Sequence, residues 1–136
     1  MAYLQWQRHV VLFEPASYTA NETKAIMNVA AGDMIGIILA RQVEAYNGSG
    51  TDAILELGDD DIDRFMDAGE IDETNATDFV RCAGASGGGY VLYRNHLFTA
   101  ANTIDVTFTA NTAGTRTTGQ TEFTIYKAKV RPGSAV

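Results

Sequence analysis

Apolar and polar residues alternate along most of this chain with a period of two, the spacing of a strand that buries one face; only one short stretch has helical spacing. A chain patterned this way buries its apolar side chains by pairing strands into sheets and packing the sheets together. From Thr103 to Asn111, Ile104, Val106, Phe108 and Ala110 fall on one face and Thr103, Asp105, Thr107 and Thr109 on the other. Thr121 to Val130 sets Phe123, Ile125 and Lys127 against Thr124, Tyr126 and Ala128. Ala53 to Leu57 sets Ala53, Leu55 and Leu57 against Ile54 and Glu56. From Asp33 to Tyr46 one parity holds Ile35, Ile37, Leu39, Val43 and Ala45 and the other Gly36, Gln42 and Glu44. That long half-buried strand is bounded by the turn residues Ala31-Gly32-Asp33 and Asn47-Gly48-Ser49-Gly50.

The remaining segments extend the same class. Val10 to Phe13 is a short apolar run stopped by Pro15, Tyr18 to Val29 mixes threonines with Ile26, Met27 and Val29, and Tyr90 to Tyr93 follows a glycine run. The polar stretch Asn111 to Gly119 separates the last two strands and predicts a C-terminal β-hairpin. Asp60 to Ala68 alone reads as helical, with Ile62, Phe65 and Met66 at i, i+3 and i+4 and acids in the first turn. The expectation is an all-β chain: an antiparallel β-sandwich of jelly-roll type, with one short helical turn near 60–68. Its organisation would be an N-terminal arm and first strand over 1–18, the sandwich over 19–130 and a tail over 131–136. Ten of the fifteen threonines lie from Thr99 to Thr124, which on strands reads as a pleated solvent face.

At 136 residues the chain fits one domain, and no apolar run approaches a membrane span: the longest, Ile35 to Ala40, is closed by Arg41. The first residues lack the basic start and apolar stretch of a signal peptide, so a protein made without Sec-type export is expected. A single cysteine, Cys82, excludes an internal disulfide and any multi-thiolate metal site. The formal net charge of −7 is confined to one segment. Asp59 to Asp78 holds nine acids and Arg64 alone, a local net of −8, and the other 116 residues sum to +1. No lysine or arginine cluster elsewhere suits a phosphate backbone, so nucleic acid is not an expected direct partner, and neither is a membrane.

Chemistry-bearing constellations are few. Asp59, Asp61, Asp63, Asp67 and Glu70 occupy positions 1, 3, 5, 9 and 12 of a twelve-residue loop, the carboxylate spacing of an EF-hand calcium site. Arg64 stands where the sharp turn needs glycine and no flanking helices are evident, which favours a solvated acidic loop with Ile62, Phe65 and Met66 pinned to the sandwich edge. Gly84 to Gly89 lacks the Gly-Lys-Ser/Thr ending of a phosphate loop. His9 and His96 sit beside apolar runs with no nucleophile setting, and Cys82 reads as a buried thiol despite Arg81 beside it. No catalytic residue, cofactor-binding residue or metal ligand is therefore assigned.

Ala31-Gly32-Asp33, then Gly58-Asp59 with Asp61 to Met66, then Ala68 to Asp72, then Gly87-Gly88-Gly89-Tyr90, then Thr99 to Phe108 and a threonine-rich end form a pattern spanning Gly32 to Lys127. It resembles small β-sandwich structural proteins of tailed bacteriophages, and is most similar to head decoration, or cement, proteins. The resemblance implies a non-enzymatic virion protein, made in the host bacterial cytoplasm and carried on the outer capsid surface. There it would clamp the major capsid protein of the phage head, commonly as a homotrimer. Tail and neck proteins share similar sandwiches, and the family carries over no active-site residues.

Residues 1–18 depart from the alternating pattern, with an aromatic-rich start that a sandwich does not need for its own core. Tyr3, Leu4 and Trp6 are the candidate partner-binding residues of an N-terminal arm, large side chains of the kind interfaces favour. Tyr18, Tyr46, Tyr90 and Tyr93 suggest more apolar strand surface than two sheets require, hence self-association, most simply as a trimer. Two other classes compete. A carbohydrate or receptor-binding jelly roll could stack Tyr90, Tyr93 and Trp6 on sugars, and a hydrolase could draw on paired carboxylates, although no spacing among the acids singles out a pair.

Overall fold

The computed structural model describes residues 4–47, 53–84, 95–111 and 116–130. Among these residues eight strands follow one another: β1 (Gln7–Phe13), β2 (Glu22–Val29), β3 (Asp33–Glu44), β4 (Ile54–Gly58), β5 (Phe79–Arg81), β6 (His96–Leu97), β7 (Asn102–Thr109) and β8 (Gln120–Lys129). They form a five-stranded sheet in the order β1-β8-β3-β5, with β6 also on β3, and a three-stranded sheet in the order β2-β7-β4. Every pairing is antiparallel. First strand pairs with last and second with second-last, the roll that defines a jelly-roll sandwich.

The core lies between the sheets and is built by the alternation. Ile104, Val106 and Phe108 of β7 meet Phe123 and Ile125 of β8, with Leu55 and Leu57 from β4 and Phe13 from β1. The rings of Phe108 and Tyr46 stack at 5.6 Å. Tyr46, expected to add outward apolar surface, is thus a core residue, and Tyr18 is half-buried with its hydroxyl donating to Glu14 at 2.7 Å. Tyr90 and Tyr93 lie outside the described residues.

Three local expectations are corrected. The C-terminal hairpin does not form: β7 belongs to one sheet and β8 to the other. Ile104, Val106 and Phe108 of β7 and Phe123 and Ile125 of β8 bury their apolar faces on opposite sides of the core, so β7 pairs with β2 and β4 and β8 with β1 and β3. In β3 the single inward parity breaks at a bulge between Ile35 and Ile38, where one extra residue enters the strand. Beyond it Ile38, Ala40 and Gln42 face inward, while Ile37, Leu39 and Val43 face outward. The third concerns 60–68, which holds one hydrogen-bonded turn, Arg64 N–H to the Asp61 carbonyl at 3.1 Å, and no helix. The chain instead folds back onto β4, with Leu57 and Met66 exchanging backbone hydrogen bonds at 2.9 and 3.0 Å. This tight return passes over Gly58, where a Cβ would stand 2.0 Å from the Asp61 carbonyl oxygen. Phe65 and Met66 are buried by it, whereas Ile62 is left 52% exposed.

The acidic segment is more integrated than a solvated loop. It spans the open side of the sandwich from β4 to β5 and plugs it with Phe65, Met66 and Ile71. Glu73 is buried, its carboxylate accepting the Leu55 amide at 2.9 Å and its carbonyl accepting Gln42 Nε2 at 3.1 Å and the Tyr46 amide at 2.9 Å. Gln42 Oε1 accepts in turn from the Thr121 hydroxyl, so the inward glutamine created by the bulge is satisfied.

Candidate interaction surface

The two outer faces of the sandwich differ in kind. On the three-stranded sheet, Thr107 stands between Thr23 and Glu56, and Asp105 beside Ala25: a polar, threonine-rich face, as the alternation of β7 predicts. On the five-stranded sheet the rows mix apolar side chains with charges of both signs. One runs Leu12, Glu122, Arg41, Phe79; the next runs Val10, Thr124, Leu39, Arg81. Phe79 is 57%, Val10 53% and Leu12 51% exposed. Trp6, Ile37, Val43 and Leu97 extend the exposed apolar surface on the same sheet. Among the described residues, Ile62 is the one exposed large hydrophobic side chain outside this face. Arg8, opposite Tyr126, joins Arg41 and Arg81 on it, against Glu122, which Arg41 meets at 3.3 Å. Glu44, opposite Gln120, and Glu14, which accepts from Gln120 Nε2 at 3.1 Å, lie at one end of the same face, so it is apolar with its charges balanced, and scattered single exposures do not make such a continuous surface.

The proposed arm residues are placed separately. Tyr3 lies outside the described residues, Leu4 is half-buried, and Trp6 is 39% exposed. The indole of Trp6 lies across Gly36 in the β3 bulge, where a Cβ would come within 2.8 Å of the ring. It therefore belongs to this same face, pinned to its own sheet with one side open. The outward Val10, Leu12, Ile37 and Phe79 were not singled out from sequence. Val10 and Leu12 were readable from the parity of β1 once Phe13 is taken as inward, whereas Ile37 depends on the bulge, which leaves no composition signal.

Other candidate chemistry disperses. Of the calcium-like set, Asp59 is buried and held by Arg64 Nε at 2.8 Å, the Asp61 amide at 2.9 Å and His96 Nε2 at 3.6 Å. Glu70 spends its carboxylate on the amides of Asp67, Ala83 and Gly84 at 2.5, 2.6 and 2.9 Å. Asp63 and Asp67 do converge, joined by Glu56 of β4, with one oxygen from each within 4.8 Å of the others. Like charges so placed repel: Glu56 is raised by burial and then by Asp63 and Asp67, and Asp63 by sharing a hydrogen bond with Asp61. This trio could present three oxygens to a cation, in a register the EF-hand spacing did not indicate. His96 packs edge-on to the rings of Phe65 and Phe98 at 5.7 and 4.7 Å, and burial lowers its pKa, helped by Arg64 and opposed by Asp59. Burial also pushes the Cys82 thiol up, the environment of an inert cysteine.

No family model and no curated protein matches the chain. Among solved structures it is similar to a chain of the acidic stable capsid structure of Helicobacter pylori bacteriophage KHP30. The TM-score is 0.59 at 10% identity, and the match covers 93% of each chain. The likeness is one of fold.

Proposed function

We propose that this chain is a non-enzymatic structural protein of a bacteriophage virion, a decoration or cement protein that binds the outside of the assembled head and stabilises it. The observation that carries the reading is the end-to-end fold likeness to a phage capsid chain, covering 93% of both. The exposed apolar face of the five-stranded sheet supports it, because a structural protein works through its surfaces and a solitary globule has no use for such a face. In this reading the partner is the major capsid protein, the location is the outer capsid surface, and copies group as trimers around local symmetry axes. Synthesis is in the host bacterial cytoplasm. Trp6, with Leu4 and Tyr3 before it, contributes an aromatic anchor at the rim of the face.

The test is co-sedimentation of the purified chain with undecorated heads, with copy number read by quantitative gel or cryo-electron microscopy. Saturable binding at a fixed ratio to the capsid subunit is expected, with loss of binding in Trp6→Ala. Binding to tails and not to heads would move the protein to the tail or neck. Binding to neither, with capture on a glycan array, would replace the proposal by a carbohydrate-binding one.

A further inference from the structure

We propose that the free edge of β1 pairs antiparallel with β1 of a second copy of this chain, about a two-fold axis at Val11. Among the described residues five strands border the sheets, β1, β5 and β6 in one and β2 and β4 in the other. Four of these edges are blunted against further pairing. β5 and β6 hold three and two residues, β2 carries a bulge between Ala25 and Met27, and β4 is covered by the return that bonds Leu57 to Met66. β1 runs seven residues in unbroken register with β8, has neither bulge nor proline, and among the described residues meets no strand on its other side. The N-terminal segment does not cover that side, because Trp6 turns inward across β8 to Gly36 of β3.

The order of residues along the edge names the occupant. Counted outward from Val11 the segment is chemically palindromic: Val10 and Leu12 are aliphatic, His9 and Phe13 carry aromatic rings, and Arg8 and Glu14 bear opposite charges. Two such strands, antiparallel about Val11, set Val10 against the partner's Leu12 and Arg8 against the partner's Glu14. Only even shifts of register keep inward residues inward, and the next one either way sets Arg8 against Leu12 or Val10 against Glu14, a charge against an aliphatic chain. All four outward side chains are exposed, Val10 and Leu12 by 53% and 51%. Among the described residues the Arg8 guanidinium has no ion-pair partner. Glu14 is held in place by Tyr18 and Gln120 at 2.7 and 3.1 Å and keeps lone pairs for a guanidinium. The contact is isologous and closes on two copies, so it goes beyond the reading above: where copies also group as trimers, it ties one trimer to the next.

The test is disulfide trapping with full-length chains, each first checked for an unchanged melting transition. V10C and L12C chains are prepared separately, and the wild type, with Cys82 alone, is the blank. Under mild oxidation an equimolar mixture is expected to form a covalent pair about tenfold faster than either chain alone, because the register sets position 10 opposite position 12 and leaves like positions on the diagonal. Sedimentation of charge variants is the second arm. R8E sets a carboxylate opposite Glu14 at both ends of the pair and is expected to weaken self-association about tenfold, and R8E/E14R is expected to recover it, because opposite charges face again. Cross-linking that is equal in the mixture and in the single chains, or self-association untouched by R8E, overturns the pairing. A wild type that remains monomeric at about 100 µM also overturns it, because such a contact would form at that concentration. Cross-linking of V10C to the capsid subunit in place of L12C gives the edge to the capsid and overturns it too. Head binding, measured separately by co-sedimentation, decides the capsid reading whichever way these fall.

Discussion

Asp33 closes one end of the sandwich with a buried carboxylate that accepts the Ala30 amide at 2.8 Å and faces Lys127 and Lys129 at 3.4 and 3.3 Å. Burial alone would raise its pKa; the amide and the two ammoniums outweigh this and hold it below the usual value. A depressed carboxylate contributes stability that is present above its unfolded pKa and is lost as pH falls through the folded one. Asp33→Asn is therefore expected to cost about 2 kcal/mol near neutrality, since it leaves two lysines without their partner. The deficit should begin to shrink as pH falls below about 4, where the unfolded chain's carboxyl takes up its proton, and vanish once pH has passed the lowered folded value. Denaturant midpoints for both chains between acid and neutral pH check this, and a deficit that stays constant with pH contradicts it. The turn at Ala31-Gly32-Asp33 was legible from residue types. The inward direction of Asp33 was not, because the lysines that make it tolerable arrive from the far end of the chain.

At the scale of elements, the strands with strict alternation were legible. Ala53, Leu55 and Leu57, and Ile104, Val106, Phe108 and Ala110, are buried as their parity requires. The sequence misled where a single residue shifts the register or a tight turn imitates a helix. At the β3 bulge, Ile37 and Gln42 exchange the faces their parity implied, and at 60–68 an i, i+3, i+4 pattern arises in a chain doubling back on β4. The acidic segment yields a second prediction. Glu56 and Asp63 have raised pKa values, so the folded state holds their protons more tightly, and repulsion grows as pH rises through those values. Glu56→Gln is expected to raise stability near neutrality by about 0.5 kcal/mol and to have no such effect in acid. With Asp59 and Glu70 committed to arginine and backbone amides, millimolar calcium should leave the wild-type melting temperature unchanged. A calcium-dependent rise that Glu56→Gln abolishes would show the trio binding the ion.

For the whole molecule, the class of fold could be read from alternation and turns, yet the partition of strands between sheets could not, since it depends on which distant strand each edge meets. The candidate face lay partly within reach: Trp6 stood out by type, while its floor at Gly36 and the Phe79 at the opposite edge of the same face came into one surface only through pairing. Truncation separates the roles of the N-terminal residues. Removing residues 1–6 is expected to leave a folded chain that has lost head binding, whereas removal through Phe13 deletes β1 and a fully buried ring and should unfold it. Circular dichroism melting and head co-sedimentation read the two effects, and unfolding by the shorter deletion would contradict the first. The pairing of β1 with β8, Gln7 opposite Lys127, has a consequence in time as well as in space. Strand β1 must wait for β8 to leave the ribosome before it finds its partner, so folding is slow for a domain this small, in the millisecond-to-second range of sandwiches with distant pairings. Until then β1 and the facing edge of β3 stand open, and a messenger cut short before Gln120 yields a chain that cannot close.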